Sequence, residues 1–482
     1  MASTSATGAA APENGYLTGF GAKPYRTYVL TSLTVVYIFN FIDRGLLSVV
    51  GPAIKPELGI SDTLFGLLTG VGFALLYSIV GIPVAAAAET KNRVTIMAVC
   101  VAIWSVMTAL CGLANPITIG GFTLSAVAVL FLCRMGVGVG EAGCTPPASS
   151  LIADYYPPKS RSTALGFYAM GVTLGTVMAN LIGGPVTDAF GWRYAFFVLG
   201  LPGLIIAVIL KLTIKEPPRG YTDPPGTIRR EKASFFETLK ELTKKPSFWT
   251  MAAGVTLAAF SGYGIANFQS VFINREFGLT AGQAAIQVNV PVYAASALGT
   301  LLTGWLAQRM YSKYPGAIAW IPGIGLILCV PFYWLAFTTH NFQLALFGLV
   351  AGGFIKYGYL AAQYTIGQGV VSARARATAT AILLFIINAL GYSFGPPFIG
   401  VISDAIFNSK LKAATDLVGE FTRKSCEGKL LSHLDDAQKA FCAANHSSAL
   451  QQSMLITAMV YGLGGVMLLL SWRTLSKDMV AR

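Results

Sequence analysis

Long apolar stretches of similar length alternate with short polar segments along almost the whole chain. A helix that crosses a bilayer needs about 20 apolar residues, and exposed strand edges cannot lie in lipid. Barrel strands would be about ten residues long and alternating in polarity, which is not the pattern here. The apolar stretches cover approximately residues 27–50, 63–87, 94–114, 122–148, 162–188, 194–213, 247–274, 281–308, 316–338, 343–370, 377–404 and 451–472. The pattern therefore predicts an all-α integral membrane protein with twelve transmembrane helices.

The composition agrees with this prediction, because 54% of the residues are hydrophobic and only 11% are charged, against about 25% charged residues in soluble domains. The net charge of +13 is compatible with nucleic-acid binding. However, Lys and Arg concentrate in the loops on one side of the spans, which is the positive-inside pattern. We expect a multi-pass protein of the inner cell membrane with both termini in the cytoplasm, the lipid bilayer as its surroundings and no nucleic-acid partner.

Two short motifs recur at nearly the same distance along the chain. Arg161-Ser162-Thr163-Ala164 returns as Arg376-Ala377-Thr378-Ala379, at an offset of 215 residues. Gly184-Pro185-Val186-Thr187-Asp188-Ala189 returns as Gly400-Val401-Ile402-Ser403-Asp404-Ala405, at an offset of 216. The shared offset predicts two parallel, pseudo-symmetric six-helix bundles.

The polar segments set the predicted domain boundaries. The first bundle covers residues 26–213 and the second 247–475, with a long outer loop at 405–449. The Pro-rich, basic segment between the bundles predicts a cytoplasmic linker. Cys426 and Cys442 share the outer loop, and the sequence leaves open whether they form a disulfide or remain free thiols. The remaining segments are a disordered cytoplasmic tail at 1–25, the linker at 214–246 and a cytoplasmic tail at 476–482.

Four short segments of the chain carry distinctive patterns. Residues 85–93, with Glu89 and Arg93, are similar to the acid–base signature that follows the second span in the major facilitator superfamily, although Ala85 and Asn92 replace glycines. Residues 134–143 resemble the arginine-plus-glycine signature, and residues 191–197 resemble the turn into the sixth span. Phe41-Ile42-Asp43-Arg44 looks like the acid–arginine pair of Spinster-type transporters. The chain is thus similar to the Spinster-like family of sphingolipid and lysolipid transporters, as a bacterial member, which implies a substrate bound between the two bundles.

Five charged side chains fall inside the apolar spans, where each costs about 2.5–3.5 kcal/mol on insertion scales. They are Asp43, Arg44, Arg134, Glu141 and Lys356. Arg134 and Glu141 lie seven residues apart, which places them on one helix face about 10 Å apart. Asp43 and Arg44 point about 100° apart around their helix. One arrangement directs Asp43 to Arg134 and Arg44 to the cavity or to Glu141, but the sequence does not decide it.

These charges predict proton coupling, because the three His residues all fall in outer loops and Asp43 and Glu141 are the embedded carboxyls. Burial raises the pKa of a carboxyl and a neighbouring arginine lowers it, so the two influences can balance near physiological pH. We expect Arg44 and Arg134 to pair with the acids and to bind an anionic substrate group. Lys356 is interpreted as the second bundle's analogue of Arg134 and a further anion contact, or else as a lysine held by carbonyls or tyrosines.

The predicted function is secondary active transport of an amphipathic anion, lysolipid-like or sphingolipid-like, by alternating access. A small organic anion is the alternative substrate. The sequence lacks the nucleophile, base or metal cluster of an enzyme and the phosphate loop of an ATP-driven pump. We expect a monomer with no cofactor other than protons and no metal. Other possible substrate contacts, each of which is better explained on its own as an interhelical hydrogen bond, are Tyr263, Asn267, Tyr293, Gln363, Asn388 and Tyr392.

A conformational latch is also predicted at the cytoplasmic ends of the spans. Glu89 and Arg93 follow the second span, and Arg374 and Arg376 precede the eleventh. A contact of Glu89 with these two arginines, at an electropositive helix start, would join the two bundles on the inside and favour the outward-open state. The alternative is that Glu89 is a solvated loop acid.

Overall fold

The chain folds into a helical membrane protein, as predicted. The computed structural model describes residues 15–119, 121–223, 234–311, 313–314, 316–372, 374–418, 422–427 and 432–479. Among these residues, eleven helices are long and apolar enough to cross a membrane. The shorter apolar helix Phe342–Lys356, continued by Tyr359–Gly369, forms the tenth span and brings the number of spans to twelve.

The first half begins with a short helix and contains six spans, of which the second and fourth are each built from two helices. A β-hairpin of Ile117–Ile119 (β1) and Phe122–Leu124 (β2) connects spans three and four. The helices are α1 Gly15–Thr18; α2 Lys23–Leu58 (span one); α3 Asp62–Thr69 and α4 Val71–Thr90 (span two); α5 Arg93–Cys111 (span three); α6 Ala126–Glu141 and α7 Thr145–Tyr155 (span four); α8 Pro158–Phe190 (span five); and α9 Trp192–Thr213 (span six).

The second half follows a linker helix, and π-helical segments interrupt its eighth and eleventh spans. The helices are α10 Phe235–Leu242 (linker); α11 Pro246–Phe277 (span seven); α12 Ala281–Ala284, the π-helix Ala285–Asn289 and α13 Val290–Tyr311 (span eight); α14 Ala317–Thr338 (span nine); α15 Phe342–Lys356 and α16 Tyr359–Gly369 (span ten); α17 Arg376–Ile386, the π-helix Ile387–Tyr392 and α18 Ser393–Val418 (span eleven); and α19 Asp436–Asp478 (span twelve).

The breaks in spans four and ten occur at corresponding positions. Helix α6 ends at Glu141 and helix α15 ends at Lys356, which is the 215-residue repeat spacing. Lys356 therefore corresponds to Glu141, and the prediction that it is the analogue of Arg134 was wrong. The position that matches Arg134 is Leu349. The repeat offset of 215 residues already implied this register, and the ends of α6 and α15 agree with it.

The two halves pack together through equivalent pairs of spans. Span two contacts span eleven through α3 and α18, and span five contacts span eight through α8 and α12. Spans one and seven also meet, through α2 and α11. Since spans two and eight occupy the same place in the repeat, as do spans five and eleven, the interface has an approximate twofold symmetry.

The N-terminal segment differs from the prediction where it is described. Residues 1–14 of the predicted disordered tail lie outside the described residues, but residues 15–25 are folded. The ring of Phe20 packs edge-to-face on Tyr155 and Tyr221, at centroid distances of 5.4 and 5.1 Å. Packing of this half-buried aromatic side chain fixes a segment whose small and polar residues had suggested a free tail. At the other end, α19 extends to Asp478, into the predicted tail at 476–482.

The long loop predicted at 405–449 consists mainly of extensions of the last two spans. Helix α18 continues to Val418, and α19 already begins at Asp436. Between them the turn Arg423–Cys426 is tied to α19 by a disulfide from Cys426 to Cys442, with the Cα atoms 5.6 Å apart. The question left open by the sequence is thus answered by a bonded pair.

Candidate functional site

Four of the five embedded charges form two acid–base pairs between spans one and four. Arg134 Nη1 lies 3.2 Å from Asp43 Oδ1, and Arg44 Nε donates to Glu141 Oε2 at 2.6 Å. Neighbouring residues on α2 point in different directions, whereas Arg134 and Glu141 lie two turns apart on one face of α6. The pairs therefore follow one another along the interface of the two helices, in one of the arrangements that the sequence allowed.

These pairs are buried but not fully satisfied. The side chain of Arg44 is 10% exposed, and that of Glu141 is completely buried. The hydroxyl of Thr108 also donates to Asp43 Oδ2. By contrast, Glu141 Oε1 and Arg134 Nε have no hydrogen-bond partner among the described residues. Because an unpaired buried polar atom costs free energy, a proton or a donor group would be stabilised at Glu141 Oε1, and a water or an acceptor group of a ligand at Arg134 Nε.

Aromatic rings connect this charge cluster to the second half. Arg44 lies 5.1 Å and Arg134 5.4 Å from the ring centroid of Phe73, and both contacts are of cation–π type. Phe73 in turn contacts Tyr392 at 5.6 Å, and Tyr392 stacks on Tyr263 at 3.9 Å. Since Tyr263 and Tyr392 belong to spans seven and eleven, the cluster lies where the two halves meet.

Lys356 lies apart from this cluster, among aromatic rings of the second half. Its side chain is buried, with Nζ 5.6 Å from the ring centroid of Tyr333 and 5.0 Å from that of Tyr357. Within the described part of the chain it forms no ion pair. The contact with Tyr333, on span nine, agrees with the alternative interpretation of a lysine held by tyrosines.

The other predicted substrate contacts have different surroundings. Tyr263 and Tyr392 form the stacked pair beside the charge cluster. The amides of Asn267 and Asn388 donate within their own helices, to Tyr263 O at 2.8 Å and Leu384 O at 2.9 Å. The remaining two side chains, half-buried and buried respectively, are Tyr293 and Gln363.

A buried amide network around Asn289 also joins the halves. Asn289 Nδ2 donates to Asn180 Oδ1 at 2.8 Å, across the interface of spans eight and five. Asn289 also accepts from Gln269 and donates to Ser270, at 2.7 and 2.9 Å. Asn289 ends the π-helix of span eight, a kind of segment that is frequent at functional sites. Amides within apolar spans are the sequence signal for such an interhelical network.

On the face opposite the termini, Asp62 joins the halves through several bonds. Arg275 of span seven donates to it from both terminal guanidinium nitrogens, Nη1 and Nη2, at 2.8 and 2.9 Å. Ser403 Oγ donates to Asp62 at 2.6 Å, and Lys55 Nζ lies 2.9 Å from it. Asp62 is itself buried. Lys55 and Asp62 belong to the first half, whereas Arg275 and Ser403 belong to the second.

The repeated Gly–Asp motifs complete this closure in a pseudo-symmetric way. Asp188, which ends span five, accepts from Gly282 N at 3.0 Å at the start of span eight. Asp404, its repeat partner in span eleven, accepts from Thr63 N at 2.9 Å at the start of span two. Each carboxylate thereby stabilises the electropositive start of a helix in the other half. We call Asp62, Asp188, Asp404 and their partners the acid network.

Glycines allow this close approach. A Cβ at Gly184 would lie 2.9 Å from the Cα of Gly282, and one at Gly400 would lie 2.8 Å from the Cα of Thr63. A larger residue at either position would push the two halves apart. The motif was visible in the sequence as a repeat, but its role required knowledge of which helices meet.

On the face that carries the termini, the predicted latch residues separate into two groups. Glu89, Arg374 and Arg376 are exposed. Arg93 is buried and binds Asp154 Oδ2 at 2.5 Å and Glu216 Oε1 at 2.6 Å. Its contacts thus join span three to span four and to the linker, within the first half.

Comparison with known proteins identifies the family. The family model of the Major Facilitator Superfamily matches residues 33–405. The chain belongs to the major facilitator superfamily. This transporter is 31% identical to an MFS-type efflux pump of Mycolicibacterium smegmatis, over 78% of this chain and 83% of the relative. It is 26% identical to protein spinster of Drosophila melanogaster, over 94% of this chain and 77% of the relative.

A solved structure supports the Spinster-like assignment along the whole chain. A bacterial homologue of the human lysosomal transporter Spinster, in an inward-facing and unoccupied conformation, superimposes with a TM-score of 0.86 at 40% identity. The alignment covers 96% of this transporter and 100% of that chain. The predicted membership of the Spinster-like family is confirmed, and with it a role in membrane transport rather than enzymatic catalysis.

The acid network generates a prediction for Asp62→Asn. This change removes the negative charge that Arg275 and Lys55 share, and breaking a buried pair from one side costs about 3–5 kcal/mol. We expect the population in which the halves are separated on this face to rise by about tenfold or more. Distances between spin labels at Thr118 and Gln343, which lie on this face in different halves, would measure it.

A matched control for that measurement is Glu57→Gln. Glu57 is a carboxylate on the same face, but it binds Trp192 and Arg193 within the first half. The Glu57→Gln substitution should leave the label distances unchanged. Equal distances in Asp62→Asn and the parent protein would contradict the role of the acid network.

Proposed function

We propose that this transporter moves an amphipathic anion of the lysolipid or sphingolipid class by alternating access, coupled to protons through Asp43 and Glu141. The observation that carries the proposal is the pair of buried acid–base contacts at the junction of the halves, with one oxygen of Glu141 unpartnered. A purely structural ion pair gains little over apolar packing. An incompletely bonded pair beside the junction of the two halves is better suited to exchanging partners.

The exchange follows from charge balance. Each carboxylate is neutralised either by its arginine or by a proton, so protonation of Glu141 releases Arg44 from its partner. Arg44 is the most exposed of the four side chains, so it is the base that an entering anion reaches first. Arg134, held by Asp43, remains a second positive group behind it. Lys356 supplies a positive group in the second half, because no carboxylate among the described residues pairs with it.

The surroundings of Arg44 favour an amphipathic substrate over a small one. Its guanidinium carbon lies 4.5 to 5.1 Å from the ring centroids of Phe41, Phe73 and Tyr77. These rings, with Tyr263 and Tyr392 beyond them, offer apolar area next to the charge. A small dicarboxylate or sugar phosphate would satisfy the arginine but would leave the aromatic surfaces unused.

We further propose that both termini are cytoplasmic, in the inner membrane of a cell, and that one chain is the transporting unit. The concentration of Lys and Arg on the side of the termini supports this orientation. The acid network then lies on the outer side, and the structure corresponds to a state closed to the outside. Two halves that meet at the charge cluster provide a complete path within one chain.

The substrate class can be tested by flux into liposomes with a pH gradient. We expect a fluorescent lysophospholipid to be translocated with a rate that depends on the gradient, whereas four-carbon acids and sugar phosphates are not, because they do not fill the aromatic surroundings of Arg44. Empty liposomes subjected to the same gradient are the control for spontaneous lipid flip. Gradient-driven flux of the small anions alone would establish the alternative substrate.

Proton coupling can be tested with Asp43→Asn and Glu141→Gln. Each change fixes one site in its neutral form, so we expect loss of flux driven by a pH gradient, while exchange of labelled for unlabelled substrate at equal pH continues. The flux assay in both modes measures the distinction. Glu57→Gln, which neutralises a carboxylate away from the cluster, should behave as the parent protein does. Unchanged pH dependence in both cluster variants would refute the assignment.

We also propose that Glu89, with Arg374 and Arg376, forms a latch on the cytoplasmic side in the outward-open state. Glu89→Ala should then shift the population towards the state closed on the outer side, by up to about fivefold for an exposed pair. The labels at Thr118 and Gln343 report this population. Asp223→Ala removes another exposed acid on the same face and serves as the control. A distribution that Glu89→Ala does not alter would exclude the latch.

A further inference from the structure

We propose that the segment tied by the Cys426–Cys442 disulfide braces the acid network, so that opening of the outer face depends on this bond. The disulfide brace, as we name it, consists of residues 422–427 and the first part of α19, residues 436–447. The proposal rests on the alternating access proposed above. It concerns the regulation of one conformational step and not the substrate or the coupling ion.

One end of the brace holds Asp404 in its capping position. Arg423 Nη1 lies 2.8 Å from Asp404 Oδ2, the oxygen that also accepts from Thr63 N of the first half. Arg423 stands three residues before Cys426 in the same helical turn. Anchoring Cys426 thus limits how far the guanidinium can move from the carboxylate. Without Arg423, Asp404 would still accept from Thr63 N but would lose its neutralising base.

The other end of the brace contacts Arg275, the residue that binds Asp62. One turn after Cys442, the backbone carbonyl of His446 accepts from Arg275 Nη1 at 3.4 Å. The ring of His446 stacks on Phe407 of span eleven at 4.1 Å. The next residue, Ser447, donates to Glu276 Oε2 at 2.5 Å. This part of α19 is therefore fixed to the outer ends of spans seven and eleven.

The disulfide connects these two contacts directly. The cysteines stand 16 positions apart along the chain and pack in one apolar cluster with Phe407 and Leu411 of span eleven. The disulfide adds a covalent link between the turn with Arg423 and the helix with His446 to this non-covalent packing. With the bond, a displacement of one end moves the other. The brace therefore couples the Asp404 contact to the Arg275–Asp62 contact, and both must yield together when the outer face opens.

The brace acts on only one arm of the pseudo-symmetric network. Asp188 makes the corresponding cap in the other arm, where the described residues include its contacts with Thr280 and Gly282 and no basic partner. No disulfide occurs beside it among the described residues of the first half. We infer that the second-half arm is the regulated one and that an oxidising exterior holds it closed.

The test is a comparison of the full chain in liposomes with and without the bond. A ketone-bearing amino acid at Thr118 and at Gln343 carries the spin labels, so that the five other cysteines stay unmodified. In Cys426→Ser/Cys442→Ser we expect the separated population on the outer face to rise by up to about fivefold, the range of a partly exposed ion pair. Reducing the parent disulfide with dithiothreitol should give the same rise. In that step the S–S bond breaks, each sulfur gains one electron and one proton, and the reagent closes to its cyclic disulfide.

Arg423→Gln provides a variant that keeps the disulfide and should give a similar rise, because it removes the contact that the brace maintains. Lys424→Gln, the exposed neighbour in the same turn, is the matched control and should not change the distances. The double serine variant should no longer respond to dithiothreitol. Label distances that remain unchanged on reduction and in Arg423→Gln, while Asp62→Asn separates the halves, would overturn the brace.

The readout also separates this inference from the proposed function. Label distances require neither a substrate nor a proton gradient, so failure of the flux assays would leave the brace supported if reduction opens the outer face. Conversely, proton-coupled lipid flux with distances insensitive to reduction would overturn the brace and leave the transport proposal intact. A thermal unfolding midpoint of the serine variant close to that of the parent would show that the distances report a folded protein.

Discussion

A carboxylate inside the apolar part of a membrane must be neutralised, and this requirement organises the centre of the molecule. Asp43 and Glu141 each face an arginine across the interface of spans one and four. In a medium of low polarity these attractions are strong, but so is the cost of removing each ion from water. This balance is the basis of the proposed exchange of arginine for a proton or a competing anion. Through Phe73 the pairs adjoin Tyr392 and Tyr263 of the second half.

The same electrostatic principle operates at the span ends on the face opposite the termini, where it joins the two halves. Asp188 and Asp404 occupy equivalent places in the two repeats, and each caps a helix that begins in the opposite half. Gly184 and Gly400 remove the side chains that would hold the backbones apart. A duplicated motif thus yields two equivalent contacts across one interface, and the disulfide brace makes them unequal.

The interruptions of the helices have a common meaning. Spans four and ten break just after Glu141 and Lys356, and π-helices in spans eight and eleven end at Asn289 and Tyr392. Each irregularity presents a polar or charged residue at membrane depth. Irregular backbone within a membrane is tolerated where protein or a water-filled cavity surrounds it, so these positions mark the region between the halves.

Much of this fold follows from its sequence, because apolar length and repeat spacing are local properties that the bilayer converts into spans and symmetry. The embedded charges were also visible, since few charged residues interrupt apolar stretches. The partners of these charges were not visible in the sequence. Whether Asp43 faces Arg134, whether Lys356 meets a carboxylate or a ring, and whether Cys426 reaches Cys442 depend on the rotation of helices about their axes and on which helices touch. Asp62 and Arg275, 213 residues apart, become partners only in the folded molecule, because contact across an interface is a property of tertiary packing that spacing along the chain does not encode.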